Sequence, residues 1–164
     1  MSELNDLVSV VIVNYNYGRW LRDCVRSVAE QVYSPIEVIL KDDFSTDGSR
    51  EIIEEVQAQY NGRFSRFVVL FSSQNSGINA ALNQAVPEAN GLYTIILDAD
   101  DMLHKDYVRI TKEKLTSLRS QGAGFAYTDS FLINESGETI MEGHSTAFDS
   151  ELLQTQSYIP GCGI

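Results

Sequence analysis

Two acidic clusters carry the chemistry-bearing residues of this sequence: Asp42-Asp43 and Asp98-Ala99-Asp100-Asp101. Crowded carboxylates repel one another and raise each other's pKa. A cation or a hydrogen-bonded ligand compensates such crowding. Carboxylate oxygens are hard ligands and select Mg2+ or Mn2+. These ions keep several waters and bridge protein carboxylates to substrate phosphates. A diphosphate held through a divalent ion is therefore the ligand chemistry that these clusters can serve. The bland alternative is that the aspartates are turn and cap residues. Asp47, ahead of Gly48 and Ser49, is read that way, as a helix N-cap. For Asp98-Ala99-Asp100-Asp101 the bland alternative is weaker, because three carboxylates directly follow an apolar run.

The elements that must position these clusters alternate. Val8–Val13, Ile36–Leu40, Phe67–Phe71 and Tyr93–Leu97 are short, β-branched or apolar runs, read as buried strands. Between them lie amphipathic stretches. Leu21, Val25, Val28 and Val32 mark a first helix, Ile52, Val56 and Tyr60 a second, and Ile78, Ala81, Leu82 and Ala85 a third. A fourth helix is expected over 105–121 with Val108, Leu115 and Leu118 inward. Residues 125–133 and 139–142 read as a hairpin around Asn134-Glu135-Ser136-Gly137-Glu138. Alternation of this kind predicts an α/β fold with a mainly parallel sheet and helices on both faces. Ligands of such sheets sit beyond the carboxyl ends of the strands. Both acidic clusters fall at such ends.

Composition sets limits. The chain has 164 residues, 43% of them apolar and 21% charged, which suits one globular domain. Twelve Lys and Arg against 23 Asp and Glu give a net charge of −11. That balance argues against a sequence-independent grip on nucleic acid. Cys24 and Cys162 make no disulfide framework and suit a reducing compartment. The N-terminus has no apolar h-region, and no stretch reaches the ~18 apolar residues of a membrane helix. A chain without a transmembrane segment, located in the cytoplasm, is expected.

Competing motifs fail on particular residues. Asp43-Phe44-Ser45-Thr46-Asp47-Gly48 with Glu54 nearly fits a calcium loop, but a strand rather than a helix precedes it. The second cluster has Leu103 where that loop requires Gly. No phosphate-binding Gly-x-x-x-x-Gly-Lys and no Gly-x-Gly-x-x-Gly follows the first strand.

Taken in order, the residues resemble a known family. Val8 to Asn16, Lys41-Asp42-Asp43-Phe44-Ser45-Thr46-Asp47-Gly48, Asn75-Ser76-Gly77, Asn83 and Leu97-Asp98-Ala99-Asp100-Asp101 are similar to the motifs of family 2 glycosyltransferases. The resemblance covers nearly the whole chain. It implies the GT-A fold, a Rossmann-like mainly parallel sheet flanked by helices, with a C-terminal β-hairpin. It implies a single nucleotide-sugar-binding domain over 1–164, ending ahead of the acceptor-side region. The implied reaction moves a sugar from a nucleoside-diphosphate sugar to an acceptor hydroxyl with inversion, assisted by Mg2+ or Mn2+. The implied setting is polysaccharide biosynthesis, with UDP or dTDP donors and a glycan, lipid-linked or protein acceptor. A longer form of the protein could work at the cytosolic face of a membrane.

The resemblance also implies roles, residue by residue. Tyr15 packs on the base, and the strand-end Val13 offers backbone contact. Asp43 hydrogen-bonds the base with Asp42 as its neighbour, and Asn79 joins the nucleotide set. Asp100 is the first choice for the metal, Asp98 serves ribose or metal, and Asp101 supports the metal. The sequence departs from the family pattern twice. Leu82-Asn83 stands where many members place a basic residue before the asparagine. No residue matches the family's downstream general base; the closing Pro160-Gly161-Cys162-Gly163-Ile164 resembles the loop just ahead of it. The chain is thus expected to be the donor-binding part of a longer protein, binding nucleotide with metal and transferring sugar poorly. The rival reading is a non-catalytic nucleotide-binding or regulatory module. A sugar-1-phosphate nucleotidyltransferase would need a Gly-rich loop in place of Asn14-Tyr15-Asn16-Tyr17-Gly18. A receiver domain would carry its acidic pair after the first strand.

The remaining candidates are bland. Trp20 is expected in a core or staple role and Cys24 in the core. His104 and His144 are expected at the surface. Lys112, Lys114 and Arg119 are read as a solvated face, and Glu135, Glu138 and Glu142 as a solvated turn. Tyr158 is a candidate for acceptor contact.

Overall fold

The computed structural model describes residues 6–145. Tyr158 and Cys162 lie outside the described residues. Val8–Asn14 forms β1 and Ile36–Asp42 forms β2, and all residues of both strands are buried. Arg66–Phe71 (β3) and Tyr93–Asp98 (β4) complete a four-stranded sheet of order β3-β2-β1-β4. Every pairing is parallel. Helices α1 (Gly18–Ala29), α2 (Ser49–Tyr60), α3 (Ile78–Ala85) and α4 (Tyr107–Leu118) alternate with the strands. The expected α/β architecture is thus present. Val8, Val10 and Ile12 of β1 share a core with α1, α2 and Val108 of α4. Val11 and Ile39 point the other way and pack with Ala85 and Leu82 of α3. Strands covered on both faces lose the apolar–polar alternation, which is why β1 and β2 read as unbroken apolar runs. The hairpin is also present, as β5 (Ser130–Ile133) and β6 (Thr139–Gly143), paired antiparallel. No described helix is long and apolar enough to cross a membrane.

Several element details differ from expectation. Helix α1 ends at Ala29, so Val32 leaves the apolar stripe and is 57% exposed. Gln31 takes the inward place instead. Its amide donates to the carbonyls of Ser27 and His104 and accepts the Val108 N–H at 3.0 Å, tying the end of α1 to the start of α4. Ile78, expected inward, is exposed in the first turn of α3. Strand β5 begins at Ser130 rather than Phe125. Lys112 is not solvated: it is 16% exposed, over the Tyr33 ring and paired with Asp6. Trp20 is half-buried and outside the core, with the Arg19 guanidinium 4.4 Å from its ring centre. Cys24 is buried in the core, and His104 and His144 are exposed, as expected.

One buried carboxylate locks the amino end of the sheet. Glu37 is 1% exposed and accepts bonds from Ser9 Oγ at 2.6 Å, the Gly91 N–H at 3.2 Å, Arg66 Nη1 at 3.1 Å and Asn90. Gly91 is required there, because a Cβ would stand 2.6 Å from Ser9 Oγ and 2.8 Å from the Leu7 carbonyl. Burial pushes the Glu37 carboxyl up, but the bonds from Ser9, Asn90 and Arg66 outweigh it and hold the group below its ordinary value. A lowered carboxylate stabilises the fold above its unfolded pKa of about 4.3 and loses that contribution as pH falls through the folded value. Glu37→Gln is expected to cost about 2 kcal/mol at pH 7 in urea unfolding. The gap to the parent should narrow as the pH is lowered below about 4.

Candidate functional site

The strand order reverses between β1 and β4, the position where sheets of this type open a crevice. Val13 of β1 pairs in register with Asp98 of β4, so the end of β1 and the second acidic cluster are neighbours. A cavity of about 310 Å³ lies there. Val13, Tyr15, Asp43, Asp98 and Asp100 line it. Those five sequence-chosen residues are therefore brought together. Asp42, Asn79 and Asp101 are not among the lining. Tyr17, Asn75, Gly77 and Ile78 also line the cavity. Tyr17 escaped sequence reading, although an aromatic two positions beyond Tyr15 in a loop after a strand was available as a signal.

The first cluster is consumed by its own scaffold. Asp42 Oδ1 accepts from Asn14 Nδ2 at 2.7 Å and Ser45 Oγ at 2.6 Å, and Oδ2 accepts the Ser45 N–H. This fixes the turn after β2 to the end of β1. Asp43 is 2% exposed, and four donors reach it: Ser72 Oγ and Ser76 Oγ on Oδ1, and the Ser76 and Gly77 N–H groups on Oδ2. Burial pushes this carboxyl up, but those bonds prevail and its pKa is lowered. Asp43 thus holds the loop into α3 against the cavity. Gly77 turns there with φ +82°. Asp47 is not the expected N-cap: Gly48 takes that position with φ +84°, and Asp47, one residue earlier, accepts from the Ser49 N–H at 3.1 Å and from the Gly18 N–H at 2.9 Å. The first turns of α1 and α2 are pinned by one carboxylate. Leu82 packs against Val11 of β1 and Ile39 of β2.

The second cluster differs. Asp98 is half-buried at the strand end, and among the described residues no hydrogen-bond donor reaches its carboxylate. Burial first, then the charges of Asp101 and Asp100, push its pKa up. Asp100 and Asp101 are exposed. Among the described residues no three His, Cys, Asp or Glu side chains converge to hold a metal on their own. Two carboxylates of this cluster facing one cavity, one of them raised by burial and then by its acidic neighbours, nevertheless fit a cation completed by phosphate oxygens and water, the usual arrangement for Mg2+.

Comparison with known proteins places the fold. The chain is 32% identical over 166 residues to TuaG of Bacillus subtilis (strain 168), a glycosyltransferase named for teichuronic acid biosynthesis. The match covers 99% of the chain and 62% of TuaG. Residues 1–349 of S. aureus TarS, solved with UDP-GlcNAc, superpose with a TM-score of 0.63 at 22% identity, over 82% of this chain and 37% of that one. Mannosyltransferase PcManGT from Pyrobaculum calidifontis, solved with GDP-Man and Mn2+, gives a TM-score of 0.58 at 21% identity, covering 77% and 35%. The chain therefore spans under two thirds of TuaG and little more than a third of each solved protein. The fold is that of the GT-A glycosyltransferases. The family model "Glycosyl transferase family 2" matches residues 9–160, and the protein belongs to that family.

Proposed function

We propose that this chain binds a nucleoside-diphosphate sugar at the end of β1 and β4, and that the protein it serves transfers the sugar to an acceptor hydroxyl with inversion. The observation that carries the reading is the meeting of Tyr15, Asp43, Asp98 and Asp100 in one cavity at the reversal of strand order. In the transfer, the bond from the anomeric carbon to the diphosphate oxygen breaks, and a bond from the acceptor oxygen forms on the opposite face. The acceptor proton passes to a carboxylate base, and the nucleoside diphosphate leaves. Bound Mg2+ or Mn2+ stabilises the negative charge on that leaving group. Asp100 and Asp98 are the residues that would hold the ion, with Asp101 beside them. Tyr15 offers a ring to the base, Val13 the strand-end backbone, and Asn79 an exposed amide on α3. Asp43 shapes the base end by fixing Ser76 and Gly77, with Asp42 fixing the adjoining turn. UDP and dTDP suit this reading, and the GDP-Man complex of PcManGT brings guanosine donors within it. A glycan, lipid-linked or protein acceptor and a place in polysaccharide biosynthesis belong to the same reading.

The base is assigned to none of the described carboxylates. Glu135, Glu138 and Glu142 sit on an exposed hairpin, as expected. Calorimetric titration of UDP is the test, first with Mn2+ and then with EDTA. Binding in Mn2+ that EDTA removes supports the reading. Absence of binding by UDP, dTDP and GDP in either condition overturns it.

A further inference from the structure

A second cavity, of about 530 Å³, adjoins the first. Its walls are one face of α1, the Asp100–Met102 loop and the turn between β5 and β6. Trp20, Asp23 and Arg26 form one side, and Asn134 and Glu135 the opposite side. Asp100 lines both cavities. We propose that this second cavity is the acceptor subsite, and that its ligand is an uncharged saccharide with one pyranose ring lying on Trp20. The inference rests on reading the first cavity as the donor site.

Position comes first. The acceptor hydroxyl must approach the anomeric carbon, which hangs from the diphosphate. It must therefore enter beside the carboxylates that face that diphosphate. The shared Asp100 puts the second cavity there.

Chemistry comes next. A pyranose has an apolar C–H face and a rim of hydroxyls, so it is matched by an aromatic plate flanked by fixed polar groups. Trp20 supplies the plate. It is outside the core, and its indole N–H donates to no described residue. The Arg19 guanidinium lies over the ring at 4.4 Å and pairs with Glu135 at 2.7 Å. One ion pair thus orients the indole and ties the hairpin turn to α1. Asp23 and Arg26 pair at 2.7 Å, which sets an acceptor and a donor for hydroxyls beside the ring. Exposed Met102 adds apolar surface. Of the charged side chains that line the cavity, Asp23, Asp100 and Glu135 outnumber Arg26, a balance that favours an uncharged saccharide over a phosphorylated or acidic one.

Trp20 is the only tryptophan of the chain, so its emission reports the subsite directly. The probes are the methyl β-glycosides of glucose, galactose and N-acetylglucosamine, and a neutral Ser-containing peptide, each with UDP and Mn2+ present. We expect at least one glycoside to change the Trp20 emission saturably. The calorimetric affinity for that glycoside should fall about tenfold in Trp20→Ala and return in Trp20→Phe, the size of one aromatic contact. UDP affinity, measured in the same variants, should stay within about twofold, which also certifies that they are folded. A response to the peptide alone, no response to any glycoside in a chain that binds UDP, or glycoside binding indifferent to Trp20→Ala overturns the proposal. If no nucleotide binds while a glycoside still responds through Trp20, the donor reading fails and the saccharide site stands.

Discussion

Asp100→Ala should leave UDP binding in Mn2+ no tighter than in EDTA, a loss of about a hundredfold relative to the parent chain. The expectation follows from where Asp100 sits. It is exposed, it lines the cavity beside Asp98, and its side chain makes no hydrogen bond or ion pair among the described residues. Its removal therefore takes nothing from the packing, and stability should change by less than about 0.5 kcal/mol. A binding loss in this variant reads as loss of a ligand to the ion. Asp98→Asn separates the two partners. Asp98 is raised by burial and then by its two acidic neighbours, so its ionised form is unfavourable in the folded chain without a cation. In EDTA the amide variant should melt at or above the parent. In Mn2+ the order should reverse, because the parent alone gains the stabilisation that a bound ion and nucleotide supply. Manganese-dependent binding that survives both substitutions would remove the second cluster from the site.

The legible part of this protein is its buried frame. Strands β1 and β2 announce themselves because both faces are covered, and β-branched runs of that length have few other uses. The two acidic clusters were placed at strand ends by the same pattern, and the structure puts them there. Division of labour within the clusters was not legible. Asp42 and Asp43 are adjacent and chemically identical, yet their partners lie on different segments, Asn14 and Ser45 for one, Ser72 to Gly77 for the other. Those partners lie about thirty residues away in the chain, except Ser45, and no local periodicity encodes them. Lys112 was misplaced for a related reason. A polar side chain is assigned to solvent by default, and only the approach of Tyr33 and Asp6 brings this one inside. Trp20 was assigned to packing because large aromatics usually pack. Its place on a cavity wall depends on the hairpin, which reaches α1 through Arg19 and Glu135.

Asp43→Ala should destabilise the chain by about 3 kcal/mol in urea unfolding, because it strands two backbone N–H groups and two hydroxyls that converge on a buried carboxylate. The same change releases the loop that carries Asn75, Gly77 and Ile78, which form one wall of the cavity. Asp43→Asn is the more informative variant. Its amide keeps one accepting oxygen but presents a donor to the Ser76 and Gly77 N–H groups, so roughly half of the cost should remain. The parent carries a pH dependence that the amide variant lacks. Its carboxyl is held below its ordinary value, so its contribution is complete above about pH 4 and disappears as pH falls through the folded value. The two stabilities should therefore converge in acid. Nucleotide binding then separates two roles that the resemblance joins. If Asp43 acts by holding the wall, Asp43→Asn weakens UDP and GDP alike, by about tenfold, and the loss tracks the loss of stability. If its carboxylate also accepts from the base, the loss for UDP exceeds that for GDP, because the two bases present different edges to one fixed acceptor. All four bonds to Asp43 come from the protein's own loop, so equal loss is the expected result.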